Sequence, residues 1–179
     1  MNAKAKEIGM MNTTFTGPSG ALSRDYAGYY NPKKYSLTDP NKTTARDLAK
    51  LSIALLKNYP EITDITKQNT VTVMEGTPYA QTLKNTNHSV EGDIFGIDGI
   101  NGLKTGSSDT AGYNYIASYK KDGVELVEVV LGVGKWPNSQ SEFNRHKYGN
   151  AILKYVLRNF EQKILFNAGF IEWTRYRMD

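Results

Sequence analysis

Cysteine is absent, and histidine occurs only twice, as His88 and His146. Thiol catalysis, iron–sulfur clusters and cysteine-ligated zinc are thereby excluded. The lack of cysteine fits either redox environment and assigns no compartment. No apolar run approaches the roughly 18 residues of a membrane-spanning helix. Residues 1–7 lack the apolar core region of a signal peptide. No block of five like charges occurs either. The 22 basic and 18 acidic residues are interspersed and leave a net charge of +4, which gives little reason to expect a nucleic-acid partner. What is present is a chain 39% hydrophobic with 12 tyrosines, too apolar for disorder. Its 179 residues suit one domain. A chain of that length buries roughly 70% of its unfolded surface and needs no disulfide or metal to fold.

The first forty residues open with a short helical stretch (2–9) and then turn loop-rich at Gly17-Pro18-Ser19-Gly20, Asn31-Pro32 and Asp39-Pro40. A helix begins near Thr43-Thr44-Ala45-Arg46-Asp47, where Thr44 and Asp47 have capping-box spacing. Leu48, Leu51, Ser52, Leu55, Leu56 and Tyr59 form one stripe before Pro60, and core packing is the expected role of that stripe. Residues 61–100 hold a β-prone stretch (70–74) and then polar, turn-rich chain. Strands are predicted to end at Leu103-Lys104-Thr105, to span 113–119 and to span 124–133. Lys121-Asp122-Gly123 carries the hairpin signal between the last two. Ser139 and Glu142 offer a second capping box. Phe143, Tyr148, Ala151, Ile152, Tyr155, Val156 and Phe160 then set the apolar face of a long helix across the sheet. The fold class expected is α+β: a helical and loop-rich N-terminal segment, then a three-stranded antiparallel sheet covered by a long C-terminal helix. Residues 1–161 hold these elements and are assigned to one domain. Residues 162–179 read as a linker or the start of a further element.

One segment carries chemistry. Residues 98–112 hold four glycines, and Lys104-Thr105-Gly106-Ser107 places a cation, hydroxyls and approachable backbone N–H groups at a strand end. That set suits a carboxylate held by charge-assisted hydrogen bonds, or an oxyanion in acyl transfer. A phosphate loop fits poorly, because there the lysine follows the second glycine and opens a helix. On the tetrapeptide alone, a Gly/Ser/Asp-rich connection between strands is the commoner explanation; the surrounding sequence reverses that. His88 and His146 read as exposed or hydrogen-bonded structural residues, with no Asp or Ser constellation directed at either. Asn12-Thr13-Thr14, Asn41-Lys42-Thr43 and Asn87-His88-Ser89 match glycosylation sequons by chance.

In order along the chain, residues 1–10, Asn12-Thr13-Thr14-Phe15, Gly17-Pro18-Ser19-Gly20, Thr43-Thr44-Ala45-Arg46-Asp47-Leu48-Ala49, residues 98–107 and Ala111-Gly112-Tyr113-Asn114 resemble one family. It is the D-alanyl-D-alanine carboxypeptidases, low-molecular-mass penicillin-binding proteins, in the C-terminal part of their catalytic domain. The resemblance implies that Lys104-Thr105-Gly106 is the family's third motif, on an edge strand beside a serine nucleophile. Lys104 would be the catalytic and electrostatic group, and Thr105 would bind the substrate's terminal carboxylate. Gly106 would leave room for the substrate, and the Ser107 N–H would supply half of the oxyanion hole. The implied reaction is acylation of a serine by a peptidoglycan stem peptide ending in D-Ala-D-Ala, then hydrolysis. β-Lactams acylate the same serine, no metal or organic cofactor takes part, and the location implied is the cell envelope outside the cytoplasm.

The chain departs from that pattern at the first motif, Ser-x-x-Lys, and at the second, Ser-x-Asn. The only Ser-x-x-Lys is Ser118–Lys121, on a strand and after the third motif. Ser19, Ser23, Ser36, Ser52, Ser107 and Ser108 have no lysine at family spacing. The expectation is therefore a truncated or engineered piece, or one half that docks with a missing N-terminal half. It would be inactive alone and would present residues 124–133 as an unpaired edge. The alternatives are a non-catalytic module binding D-Ala-terminated peptides or β-lactams, an inert structural fragment, and, less well matched, a class A β-lactamase.

Overall fold

The computed structural model describes residues 1–27, 29, 33–164 and 171–175. The turn expected at Asn31-Pro32 lies outside the described residues. The chain divides into two compact units, Met1–Ile62 and Thr63–Asp179.

In the first unit, side chains do much of the work that strand ladders do elsewhere. Helix α1 (Asn2–Glu7) is shorter than its expected span. The Asn2 amide both accepts from Phe15 N (2.7 Å) and donates to Phe15 O (2.8 Å). Asn41 Oδ1 accepts from Thr16 N, and an isolated antiparallel bridge joins Thr14 to Lys42. One 3-10 turn occupies Ser23–Tyr26. Helix α2 (Ala45–Asn58) is capped by Thr44, whose side chain accepts from Asp47 N. Asp47 does not complete the capping box; its carboxylate accepts from Asn12 N and Thr13 Oγ1, both at 2.8 Å. The expected stripe of α2 is buried only in part, with Leu48, Leu55 and Leu56 half-buried. Asp47 and Ser52 are buried while Leu51 and Tyr59 are exposed, because the polar residues find their partners locally. Removing the Asp47 carboxylate (Asp47→Ala) should therefore cost about 1.5–3 kcal/mol, the range for hydrogen bonds to a charged group. The readout is hydrogen exchange at Asn12 and the first turn of α2, and unchanged protection there would contradict it.

The second unit carries the sheet. After α3 (Ile62–Thr66), β1 (Thr70–Val73) and β2 (Gln81–Lys84) form an exposed antiparallel hairpin. β3 (Ile100–Ser108), β4 (Gly112–Lys121) and β5 (Val124–Val133) form the expected antiparallel meander, in the order β3-β4-β5. The β4–β5 turn is Asp122-Gly123. Both residues take positive φ (50° and 78°), the geometry that lets a two-residue turn follow the strand twist. Gly132, at φ 72°, sits at the register shift between Tyr113 and Tyr115, where β5 gains a residue opposite Asn114. β5 is partly exposed along most of its length, because it pairs with β4 alone among the described residues; only Glu128 on it is buried.

Helix α4 (Ser139–Asn159) packs on this sheet, capped by Asn138, whose side chain accepts from Ser141 N; Ser139 is not the cap. The core gathers Val90, Ile100, Tyr115, Ala117, Tyr119 and Leu153. The helical period was legible but its phase was not. The inward face is Arg145, His146, Gly149, Asn150 and Leu153, whereas Tyr148, Ile152 and Tyr155 of the expected apolar face are exposed. The polar inward residues are tolerated because partners in the sheet and the 85–97 segment meet them. Beyond α4, β6 (Phe160–Ile164) pairs with β7 (Ile171–Arg175) in the stretch expected as linker or further element; residues 165–170 and 176–179 lie outside the described residues.

Candidate functional site

Lys104-Thr105-Gly106-Ser107 lies in the second half of β3, a strand that pairs only with β4 among the described residues. It is strand and not connection. The register sets Lys104 opposite Ile116, Thr105 opposite Tyr115, Gly106 opposite Asn114 and Ser107 opposite Tyr113. Alternation sets Lys104 and Gly106 on one face of the strand and Thr105 and Ser107 on the other, and of the four only Thr105 is covered. Lys104, Gly106 and Ser107 are exposed, and Thr105 is buried. The Lys104 ammonium donates to the carbonyl of Thr105. No atom would crowd a side chain at Gly106, so the strand face is open there. The following turn is closed by Asp109 and Ser108, whose side chains accept from Thr110 N (2.9 Å) and Ala111 N (3.1 Å).

Thr105 does not stand alone. Its hydroxyl is 2.7 Å from that of Thr86, and each hydroxyl has one proton to give. One is used between the pair, so the other remains to donate to an incoming oxygen. The Asn85-Thr86-Asn87 segment is itself pinned: Asn85 Nδ2 donates to Thr66 O and Gln68 O, and Asn87 Nδ2 donates to Gly102 O at 2.9 Å. Sequence reasoning passed over Asn85 and Thr86 as polar, turn-rich chain and took Asn87 only as part of a chance sequon. Two asparagines flanking a threonine were the only signal, because the contacts with β3 span 15–19 positions.

Arg145 is the second residue that sequence reasoning missed. Its side chain is 2% exposed. Nη2 donates to Thr86 O (3.3 Å) and pairs with Glu142 (3.4 Å), Nη1 reaches Asn114 O (3.5 Å), and Nε donates to His146 Nε2 (3.1 Å). The guanidinium also lies over the Tyr113 ring. It thus ties α4 to the segment that holds Thr105 and to the β4 residue opposite Gly106.

His146 is buried and lies 3.1 Å from Ser89 Oγ through Nδ1. Burial, reinforced by Arg145 and His88, holds its pKa down at about 3, so the ring is neutral. A guanidinium can only donate, which makes Nε2 the acceptor and Nδ1–H the donor to Ser89. His88 meets Asp93 at 3.1 Å. The expectation that no Ser or Asp faces either histidine is thus corrected. Ser89 and His146 are 57 residues apart and meet only in the fold. Ser89 is 0% exposed, so this pair is structural and not a nucleophile with its base. Ser118, of the only Ser-x-x-Lys, is buried and donates to Asn101 Oδ1 at 2.6 Å; Lys121 pairs with Asp98. Among the described residues no group of three or more metal-ligating side chains converges.

Residues 1–135 match the D-alanyl-D-alanine carboxypeptidase family. D-alanyl-D-alanine carboxypeptidase DacF of Bacillus subtilis is 30% identical, over 92% of this chain and 41% of its own length. DacC of Escherichia coli is 33% identical, over 90% and 33%. The chain spans less than half the length of these curated relatives. Among solved structures, a peptidoglycan synthesis regulatory factor (PBP3) from Streptococcus pneumoniae superposes with a TM-score of 0.77 at 26% identity, over 91% of this chain and 43% of that one. Penicillin-binding protein D2 from Listeria monocytogenes, in its cefotaxime-bound form, gives 0.63 at 28% identity, over 84% and 52%. The α+β architecture is that of penicillin-binding proteins, and this chain belongs to the D-alanyl-D-alanine carboxypeptidase family.

Proposed function

We propose that this chain provides the Lys-Thr-Gly wall of a serine-type D-Ala-D-Ala carboxypeptidase, acting on peptidoglycan stem peptides in the cell envelope and recognising β-lactams at the same place. The observation that supports this most is the edge of β3. There Lys104 and Ser107 are exposed beside open Gly106, and Thr105 has its hydroxyl held by Thr86. In this reading Lys104 supplies positive charge beside the ligand's terminal carboxylate and near the proton transfers. Thr105 donates to that carboxylate, and the Ser107 N–H forms half of an oxyanion hole. Related structures with cefotaxime or ampicillin bound lend weight to the β-lactam part.

The same reading assigns no attacking group to these 179 residues. Ser118 and Lys121, the single pair at the right spacing, are committed to Asn101 and Asp98. The polypeptide alone is thus a binding wall, and acylation requires Ser-x-x-Lys and Ser-x-Asn supplied by another segment, such as an N-terminal half. The test is a calorimetric titration with an acylated peptide ending in D-Ala-D-Ala. Saturable binding that weakens at least tenfold in Lys104→Ala is the expected result. No binding, or equal binding by the variant, would overturn it and favour an inert structural fragment.

A further inference from the structure

The polar layer between α4 and the sheet contains one group that nothing above uses. Glu128 on β5 is 8% exposed, and neither carboxylate oxygen has a hydrogen-bond partner among the described residues. It faces α4 at Gly149, where a side-chain carbon would collide with Glu128 Oε1 and stand 2.8 Å from Tyr115 Cε1. Only a glycine on that turn of the helix leaves room for the carboxyl. We propose that Glu128 is an ionisation latch between the C-terminal helix and the sheet: protonated, it lets α4 close on β4 and β5, and ionised, it loosens that contact.

The surroundings leave the ionised form uncompensated. From β4 the group is met by Tyr115, whose hydroxyl is buried, and by Ala117, its register partner. The titratable residues on the inward face of α4 are Arg145 and His146. Arg145 is committed to Glu142, Thr86, Asn114 and His146, and His146 to Ser89 and Arg145. In the 85–97 segment, His88 and Asp93 are paired with each other. On β5 itself, Glu125 pairs with Lys120 across the strands. No cation among the described residues reaches Glu128, and burial pushes its pKa up to about 7. A carboxyl raised in the folded state binds its proton more tightly there than in the unfolded chain. Its cost is absent below the ordinary carboxylate range, grows as pH rises toward 7, and is complete above it. Helix α4 also carries Arg145, whose bond to Thr86 backs the Thr86–Thr105 hydroxyl pair, so the latch lies in the same layer as the supports of Thr105. The latch is a property of the fold and stands whether or not the chain acts on D-Ala peptides.

The test compares hydrogen exchange of α4 amides at pH 5.5 and 8.5, corrected for intrinsic rates, in the full chain and in Glu128→Gln. Between the two pH values protection in the unsubstituted chain should fall by roughly 30-fold relative to that in Glu128→Gln, the change that a carboxyl pKa raised to about 7 gives. In the glutamine variant protection should instead rise by roughly tenfold, because His146 is held neutral in the fold and takes up a proton at the lower pH once α4 opens. A carboxyl-carbon NMR titration of Glu128 in the unsubstituted chain decides independently if the variant does not fold. A midpoint near 7 supports the latch, and one in the ordinary carboxylate range overturns it. Parallel pH responses in the two proteins, or α4 amides unprotected at both pH values, would overturn it too.

Discussion

Incubated with a saturating penicillin, the 179-residue chain is expected to keep its unmodified mass of 20.0 kDa. Acylation needs a serine whose proton can be taken by a nearby free amine. In the family's motif, as in any helix, residues three apart share a face; in a strand they point to opposite faces. Ser118 and Lys121 lie on β4, so the spacing that serves catalysis on a helix separates them here. Ser118 is buried and spends its proton on Asn101, and the hydrogen bond to Asp98 raises the Lys121 pKa, further from that of a free base. Intact-mass spectrometry reads this directly. A stoichiometric adduct that maps to any serine of these residues would contradict it, and Ser118→Ala would show whether that position is involved.

The largest loss of stability is expected at Arg145. Truncation to alanine removes the donor to Thr86 O, Asn114 O and His146 Nε2 at once, and leaves space where a buried side chain lay. Unpaired buried acceptors and a cavity together put the cost at about 3–5 kcal/mol. For a chain of this size that is a fall in melting temperature of roughly 6–20 °C. Arg145→Lys should keep the charge but lose the planar fan of donors, and should recover only part of the loss. Thermal unfolding of the three proteins checks the order. A change within about 0.5 kcal/mol for alanine, the scale of an uninvolved surface site, would contradict the placement of Arg145 as a tie between α4 and the sheet.

What could be read from the sequence follows from the range of the interactions. The β4–β5 hairpin was legible because its signal is local: Asp122-Gly123 fixes the turn and the alternation around it fixes the strands. The strand that carries Lys104–Ser107 was legible as far as Thr105, and its extension to Ser108 followed from the meander. The orientation of α4 was not. Periodicity finds the stripe of Tyr148, Ile152 and Tyr155, but which side turns inward depends on Ser89, Thr86 and Asn114, far away in the chain. The same holds for α2, where Asp47 faces inward because Asn12 and Thr13 await it. Glu128 was hidden for a related reason. Its place in an alternating strand looked like an ordinary charged position, and only the glycine opposite on α4 makes the site that encloses it.

The proposal that the edge of β3 recognises D-Ala is tested most directly by residue-resolved NMR of the labelled chain, titrated in parallel with a D-Ala-D-Ala peptide and its L-Ala-L-Ala counterpart. Amide shifts confined to Lys104–Ser107 and Thr86, produced by the D,D peptide alone, are the expected result. Shifts elsewhere on the sheet, equal shifts with the L,L peptide, or none at all would contradict it.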